Sequence, residues 1–179
     1  MKIILMFFYK RILGWSFTNT YPKHLKKYIM IAAPHTSTYD FPLGILVKYT
    51  LGIPTNYMGK DSLFKSPFGF IFRWLGGYPV DRSKNNNFVD QIIAIFNQNE
   101  KFVLAMSPEG TRKKTGKWKT GFYYIAKGAK VPIVMIALDF EHKNVKFSEP
   151  YYTTDDKEAD FKYFYDFYKD VKGRHPEFF

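Results

Sequence analysis

Short apolar runs alternate with amphipathic stretches along this 179-residue chain, and this alternation restricts the possible folds more than any other feature of the sequence. The predicted strands are residues 28–33, 78–80, 102–106 and 131–140, and the predicted helices are residues 41–49, 88–97, 121–127 and 157–172. Strands that alternate with helices are typical of layered α/β proteins. The sequence therefore predicts an α/β fold in a single layered domain, with a mostly parallel or mixed sheet flanked by helices.

The amino-terminal residues differ in character from the rest of the chain. The apolar run Ile3–Phe8 is far too short to cross a bilayer, and Lys10 and Arg11 follow it before apolar residues resume. Apolar side chains interleaved with cations are typical of a helix in the plane of a membrane interface, although a helix docked on the protein's own core shows the same pattern. We therefore predict an interfacial amphipathic segment over residues 1–20, followed by one domain over residues 21–179.

The positive charge of the chain is concentrated in its first 150 residues. Residues 1–150 carry 22 basic and 9 acidic side chains, whereas residues 151–179 carry 5 and 7, and the whole chain has a net charge of +11. A basic surface attracts polyanions, so nucleic acid, an anionic membrane and a phosphorylated substrate are the candidate partners. The chain has no cysteine, which excludes thiol nucleophiles and Cys-ligated metal sites.

A histidine and an aspartate follow the first predicted strand at a spacing that allows them to meet. On one continuous helix His35 and Asp40 would point about 140° apart, so they can pair only if His35 precedes the helix. Thr36 or Ser37 can then serve as the N-cap. A carboxylate that holds one ring nitrogen leaves the other as a general base, acting on one of these two hydroxyls or on a substrate hydroxyl. We predict His35 and Asp40 as the catalytic pair.

A second polar segment, Glu109–Arg112, comes directly after the predicted strand 102–106. Its glycine permits a tight turn, and its arginine can bind a phosphate through two hydrogen bonds without losing its charge. The predicted substrate-binding residues are Lys60, Arg82, Glu109, Gly110, Thr111 and Arg112. In open α/β sheets the site lies at the carboxyl ends of the strands, so we expect this segment and His35 at one edge.

Four blocks of the chain, in order, resemble those of the lysophospholipid acyltransferase family, typified by bacterial 1-acylglycerol-3-phosphate acyltransferases. The blocks are His35 with Asp40, Gly77–Arg82, Glu109–Arg112 and Val131–Ile133. The third block matches the family pattern letter for letter, and the resemblance covers about residues 28–150. The chain departs from the pattern at Pro34, where Asn is usual, and near Tyr78 and Met135.

The resemblance implies an O-acyltransferase that moves a fatty acyl group from acyl-CoA or acyl-carrier protein to the free hydroxyl of a lysophospholipid. Residues 21–179 would be its acyltransferase domain. His35 would act as the general base and Asp40 would orient it, while Glu109–Arg112, Arg82 and Lys60 would hold the acceptor phosphate. We expect no metal and no cofactor besides the acyl donor. The expected location is peripheral or monotopic, on the cytoplasmic face of the cell membrane.

Two alternatives fit parts of the sequence. Within the same family, the acceptor could be a lyso-amino-acid lipid, such as an ornithine or glycine lipid precursor, or glycerol 3-phosphate itself, instead of 1-acylglycerol 3-phosphate. In a different class, a non-catalytic module could use basic and aromatic residues together to bind nucleic acid. That alternative explains the charge but not the order of the motifs. We therefore expect a role in phospholipid biosynthesis at an anionic membrane surface, without nucleic acid.

Overall fold

A computed structural model of the chain describes residues 2–80 and 88–179, which build a seven-stranded sheet flanked by helices. The strands are β1 (Ser16–Thr18), β2 (Lys27–Ala33), β3 (Thr55–Lys60), β4 (Gly77–Val80), β5 (Phe102–Met106), β6 (Ile133–Asp139) and β7 (Asn144–Phe147). The helices are α1 (Lys2–Phe7), α2 (Asp40–Leu51), α3 (Asp61–Phe64), α4 (Gly69–Trp74), α5 (Phe88–Gln98), α6 (Gly121–Ala129) and α7 (Lys157–Tyr168). A π-helical turn (Phe8–Ile12) follows α1, and a 3₁₀ turn (Pro176–Phe178) lies beyond α7. The predicted α/β class is confirmed.

The order of the strands brings the candidate site residues to one edge of the sheet. The order is β1-β7-β6-β2-β5-β3-β4, and the five strands from β6 to β4 are mutually parallel, while β7 runs antiparallel to β6. Parallel neighbours end at the same edge, so the segments that follow β2, β5 and β3 emerge side by side. His35 follows β2, and Glu109–Arg112 follows β5.

Both faces of the sheet are buried, which explains the continuous apolar runs in its central strands. Alternate residues of β2 point to opposite faces. Ile29 and Ile31 belong to a core that includes residues of α5, α6 and α7. Tyr28 and Met30 belong to a second core with residues of α2 and the amino-terminal segment. The site therefore lies at the end of a strand that is fixed from both sides.

The last helix is shorter than the sequence predicts. The aromatic pattern predicts a helix over residues 157–172, but α7 ends at Tyr168. The N–H of Val171 donates to the carbonyl of Tyr168 in a turn, and the carbonyl of Lys172 accepts the N–H of Phe140. Because that carbonyl bonds to another part of the chain, the residues after Tyr168 continue along the domain as an irregular segment.

The amino-terminal segment has both a docked side chain and an exposed apolar surface. Tyr9 is fully buried, and its ring stacks on Phe17 of β1 at a centroid distance of 4.4 Å. Ile3, Ile4 and Phe7 are exposed. β1, which lies within residues 1–20, pairs with β7 in the sheet. No helix in the described part of the chain is long and apolar enough to span a bilayer.

Candidate active site

His35 and Asp40 form a close pair at the carboxyl end of β2, as the sequence predicts. Their Nδ1 and Oδ2 atoms are 3.0 Å apart, and the side chains are 28% and 2% exposed, respectively. Asp40 is the first residue of α2, and its Oδ2 also accepts the N–H of Ser37 at 2.9 Å. A carboxylate this close to Nδ1 favours the tautomer with the hydrogen on Nδ1, which leaves a lone pair on Nε2. The imidazole is therefore arranged as a general base.

The residues between this histidine and aspartate have a different role from the predicted one. The N-cap of α2 is Tyr39, which makes no side-chain capping bond, instead of Thr36 or Ser37. The buried Thr36 hydroxyl accepts the N–H of His175 at 3.1 Å, and the buried Ser37 hydroxyl accepts the N–H of Tyr39 at 3.2 Å. Within the described residues, neither hydroxyl is hydrogen-bonded to the imidazole. A substrate hydroxyl remains as the group for this base to act on.

Glu109 joins the two polar segments through the backbone of His35. Its carboxylate accepts the N–H of His35 at 3.0 and 3.1 Å and the hydroxyl of Ser107 at 2.7 Å. The residue is 3% exposed, and burial raises the pKa of its carboxyl group although these two donors partly oppose the shift. In this structure Glu109 holds the residue that carries the base, and its oxygens are already bonded.

The other residues of this block form an exposed turn beside Glu109. Gly110 has a φ of +65°, in the left-handed region that glycine adopts readily, and its N–H donates to the carbonyl of Ser107 at 3.3 Å. The Thr111 hydroxyl accepts the N–H of Lys113 at 3.2 Å. The Arg112 side chain is exposed, and within residues 2–80 and 88–179 it has no ion-pair partner. This turn begins the basic loop, residues 110–119.

The remaining predicted residues do not lie next to His35 in the described structure. Lys60 is the exposed last residue of β3, two strands from β2 and hence about 10 Å away across the sheet. Arg82 lies outside the described residues. The fourth block, Val131–Ile133, leads into the amino end of β6, at the opposite edge, where the Pro132 carbonyl accepts the N–H of Ile29 at 3.0 Å. That block supports the sheet.

An apolar cavity of about 260 Å³ extends from His35 and Asp40 between α2 and the sheet. Lys48 lines it two turns beyond Asp40, about 12 Å along the helix. The Lys48 ammonium donates to the carbonyls of Thr55 at 2.7 Å and Leu75 at 2.8 Å, and burial lowers its pKa. Lining residues include Met30, Ala32, Phe41, Gly44, Ile45, Val47, Ile53, Tyr57, Ala105, Ser107, Ile136 and Leu138.

Sequence reasoning missed most of this cavity, because its walls are ordinary core residues. Gly44 is the residue that could have indicated it. A glycine one turn after Asp40 lies on the same helix face, and a Cβ built there meets nothing within 4 Å. Among the described residues no cluster of three His, Cys, Asp or Glu side chains is placed to hold a metal ion. The arrangement combines a base, a cation-rich loop and a hydrocarbon-lined space.

Comparisons with known proteins show the family and the fold of this chain. A family model described as Acyltransferase matches residues 16–139. Over 122 residues the chain is 29% identical to the 1-acyl-sn-glycerol-3-phosphate acyltransferase of Haemophilus influenzae, an alignment that covers 64% of this chain and 49% of that protein. The chain thus spans about half the length of this curated relative. The crystal structure of the 1-acyl-sn-glycerophosphate acyltransferase of Thermotoga maritima has a similar fold, with a TM-score of 0.62 and 21% identity, over 93% of this chain and 76% of that one.

Proposed function

The chain belongs to the Acyltransferase family, and we propose that it moves a fatty acyl group from acyl-CoA or acyl-carrier protein to the free hydroxyl of a lysophospholipid. The proposed acceptor is 1-acylglycerol 3-phosphate, the lipid in the name of the Haemophilus relative, and the product is then phosphatidic acid. The observation that carries the proposal is the pairing of His35 with Asp40 at the mouth of an apolar cavity. A base beside a hydrocarbon-lined space suits a reaction between a lipid hydroxyl and an acyl thioester.

In the proposed reaction the acceptor hydroxyl lies against Nε2 of His35. The imidazole takes the hydroxyl proton as the oxygen attacks the thioester carbonyl, and the Asp40 carboxylate stabilises the imidazolium that forms. The tetrahedral intermediate then expels the donor's thiolate, which takes that proton and leaves as the free thiol. An ester bond forms and a thioester bond breaks without a covalent enzyme intermediate, so we expect sequential kinetics.

The basic loop is proposed to hold the phosphate of the acceptor. Gly110, Thr111 and Arg112 are exposed directly after the carboxylate that anchors His35, so a phosphate bound there would lie near the base. Lys60 and Arg82 are the further cations that the sequence predicts at this edge. A fixed phosphate restricts the hydroxyl to positions close to Nε2, and this restriction is a large part of catalysis in bimolecular reactions. Glu109 contributes by positioning the loop that carries His35.

The apolar cavity is proposed to take an acyl chain, and the enzyme is proposed to work on an anionic membrane surface. Both substrates are amphiphilic, and approach along a bilayer keeps their chains out of water. The excess of positive charge in residues 1–150 favours anionic headgroups. The exposed apolar side chains of α1 would enter the interface. We propose the cytoplasmic face, because acyl-CoA and acyl-carrier protein are the donors.

The experiment is an acyl-transfer assay with purified protein in detergent micelles. Labelled acyl-CoA and acyl-carrier protein are each offered with 1-acylglycerol 3-phosphate, lyso-ornithine lipid, lyso-glycine lipid and glycerol 3-phosphate. We expect transfer to 1-acylglycerol 3-phosphate, and a loss of about 10²- to 10⁴-fold in His35→Ala.

A matched control comes from a second histidine–aspartate pair on the surface. His142 Nδ1 lies 2.6 Å from Asp139 Oδ2, and the imidazole is 67% exposed. His142→Ala should retain wild-type activity. Equal rates for His35→Ala and the wild type would rule out the proposed base, and transfer to an amino-acid lipid alone would reassign the acceptor.

A further inference from the structure

The segment after α7 crosses the loop between β2 and α2 that carries His35, which we call the catalytic loop (residues 34–39). This C-terminal strap, residues 171–179, lies outside the region that the family model matches. The N–H of His175 donates to the Thr36 hydroxyl at 3.1 Å. A Cβ built on Gly173 would lie 2.6 Å from that same oxygen and 3.0 Å from Cβ of Pro34, so the backbone of the strap lies against these two side chains more closely than a larger residue would allow. The strap is therefore fixed against the residues that flank His35.

This contact places one cation over the start of α2. The guanidinium carbon of Arg174 lies 3.8 Å from the centroid of the Tyr39 ring, and Tyr39 immediately precedes Asp40. Stacking on a ring holds a guanidinium in one orientation and leaves the N–H donors on its edge available. The Tyr39 ring is 57% exposed, so the stacked pair is open to solvent and to ligands.

Arg174 has no carboxylate partner in the described part of the chain, whereas nearby acids are already paired. Glu177 lies 3.5 Å from Nδ1 of His175, and Glu141 binds the Lys172 ammonium at 2.6 Å. A stacked arginine with free N–H groups can bind phosphate through two parallel hydrogen bonds. The strap also faces the basic loop, because Phe178 lines a cavity of about 220 Å³ together with Glu109 and Lys117.

We propose that Arg174 binds a phosphate group of a substrate at the mouth of the active site, opposite the basic loop. This inference rests on the proposed function and adds to it a substrate-binding residue that the sequence motifs do not contain. The phosphate belongs either to the acceptor or to the nucleotide part of acyl-CoA, and both sources present the same chemistry to a guanidinium. The strap and the loop then hold cations on two sides of one entrance.

The experiment compares the wild type with Arg174→Gln and Arg174→Lys in steady-state kinetics and in binding titrations. Each substrate is varied in turn, and each has a phosphate-free counterpart: monoacylglycerol for the acceptor and acyl-pantetheine for acyl-CoA. For one phosphate-bearing substrate we expect Arg174→Gln to raise KM about tenfold with kcat within twofold, as the loss of a charge-assisted hydrogen bond predicts. The KM of Arg174→Lys should lie between those of the wild type and Arg174→Gln, since lysine keeps the charge but lacks the planar guanidinium.

The matched control is Lys101→Gln, which removes one exposed cation immediately before β5, at the opposite edge of the sheet. It should behave as the wild type with every substrate. Isothermal titration of 1-acylglycerol 3-phosphate and of CoA gives a readout that needs no turnover, and Arg174→Gln should bind one of them about tenfold more weakly.

The outcomes separate this inference from the proposed function. Weaker binding of the acceptor or of CoA by Arg174→Gln supports phosphate binding by Arg174 and identifies which substrate carries that phosphate. Equal KM and equal Kd for Arg174→Gln and the wild type with both substrates overturn it, even when the wild type transfers acyl groups. A wild type that binds phosphate through Arg174 but transfers no acyl group refutes the proposed function alone. Thermal unfolding of each variant checks whether the fold is retained.

Discussion

The carboxylate of Asp40 has two close partners and almost no contact with solvent. Its Oδ2 lies 3.0 Å from Nδ1 of His35 and accepts the N–H of Ser37, and the residue is the first of α2, where the helix dipole favours negative charge. Both partners are on the segment that carries the base. The carboxylate thus fixes the ring and the backbone of this loop together, so its removal should affect the reacting geometry as well as the charge.

Asp40→Asn should lower kcat by about 10²-fold or more with little change in either KM. An amide of the same shape can still accept the Ser37 N–H, but it no longer stabilises an imidazolium with a full negative charge. The measurement is steady-state kinetics on purified protein, with thermal unfolding as the check on folding. An unchanged kcat would show that Asp40 only shapes the loop.

Glu109 should make the stability of the protein depend on pH in a defined direction. Burial raises its pKa in the folded state above the usual value, so the folded protein holds this proton more tightly than the unfolded chain does. The resulting stabilisation is complete below the usual Glu pKa of about 4.3 and is lost as pH rises through the raised pKa.

We therefore expect the wild type to lose stability relative to Glu109→Gln as pH increases from about 4 to 7. Urea unfolding of both proteins at several pH values measures this difference, and the subtraction cancels the other titrating groups. A difference that stays constant over this range, or that changes with the opposite sign, contradicts the prediction. The glutamine variant keeps one acceptor for the His35 N–H.

At the level of helices and strands, β2, β4, β5 and β6 were predictable, whereas β1, β3 and β7 were not. β5 was predicted at its observed bounds, because its first three residues are buried and the rest partly so, giving an unbroken apolar run. β3 is TNYMGK, with its first four residues only half-buried. Its pairing depends on β5 and β4, which no local pattern reveals. The short β1 and β7 were missed for the same reason.

For the site, too, local sequence patterns predicted some residues, whereas contacts between distant segments could not be predicted. His35, Asp40 and Glu109–Arg112 were predictable because they lie in the segments that follow β2 and β5 and because the family resemblance covers them. The bond from the His35 N–H to Glu109 joins segments that are 74 residues apart. Arg174 reaches the site only because α7 ends at Tyr168 and the strap turns back over the catalytic loop. Such placements depend on the complete fold.

Helix α2 forms one wall of the proposed acyl site, and at Gly44 this wall has no side chain. A Cβ added at this position meets no atom within 4 Å and lies on the face of α2 that carries Asp40. Gly44→Leu should therefore fill part of the cavity without straining the core. It should also remove a helix-destabilising glycine, a gain of about 0.5–1 kcal/mol.

We expect Gly44→Leu to shift donor preference toward shorter acyl chains while the unfolding temperature stays equal or rises. Competition assays with decanoyl, myristoyl and oleoyl donors measure the preference. Gly116→Ala, in the basic loop where the Cβ position is also open, is the control for a glycine substitution away from the helix. An unchanged chain-length profile in Gly44→Leu would place the acyl chain elsewhere.

At the scale of the whole molecule, one group of exposed apolar side chains lies on the side of the sheet that α2 covers. Ile3, Ile4 and Phe7 are exposed on α1, and α1 contacts α2. Trp74 of α4 is also exposed and stacks on Tyr49 of α2, with centroids 6.0 Å apart. The residue after Trp74, Leu75, lines the cavity. A membrane contacting this surface would therefore lie next to the cavity that is proposed to hold an acyl chain.

The triple variant Ile3→Ser/Ile4→Ser/Phe7→Ser should bind anionic vesicles at least about tenfold more weakly than the wild type. A tenfold change in affinity corresponds to about 1.4 kcal/mol, which is less than the free energy gained by burying one large apolar side chain. Its activity on micellar substrate should be unchanged, since these side chains are exposed to solvent. Sedimentation with phosphatidylglycerol vesicles measures the binding, and Tyr152→Ser, at a side chain that is 60% exposed, is the control.

Equal binding by the triple variant and the wild type would show that α1 stays out of the bilayer and that the basic surface alone attracts the protein. High salt should then abolish binding completely, whereas a membrane contact that includes inserted side chains should survive it in part.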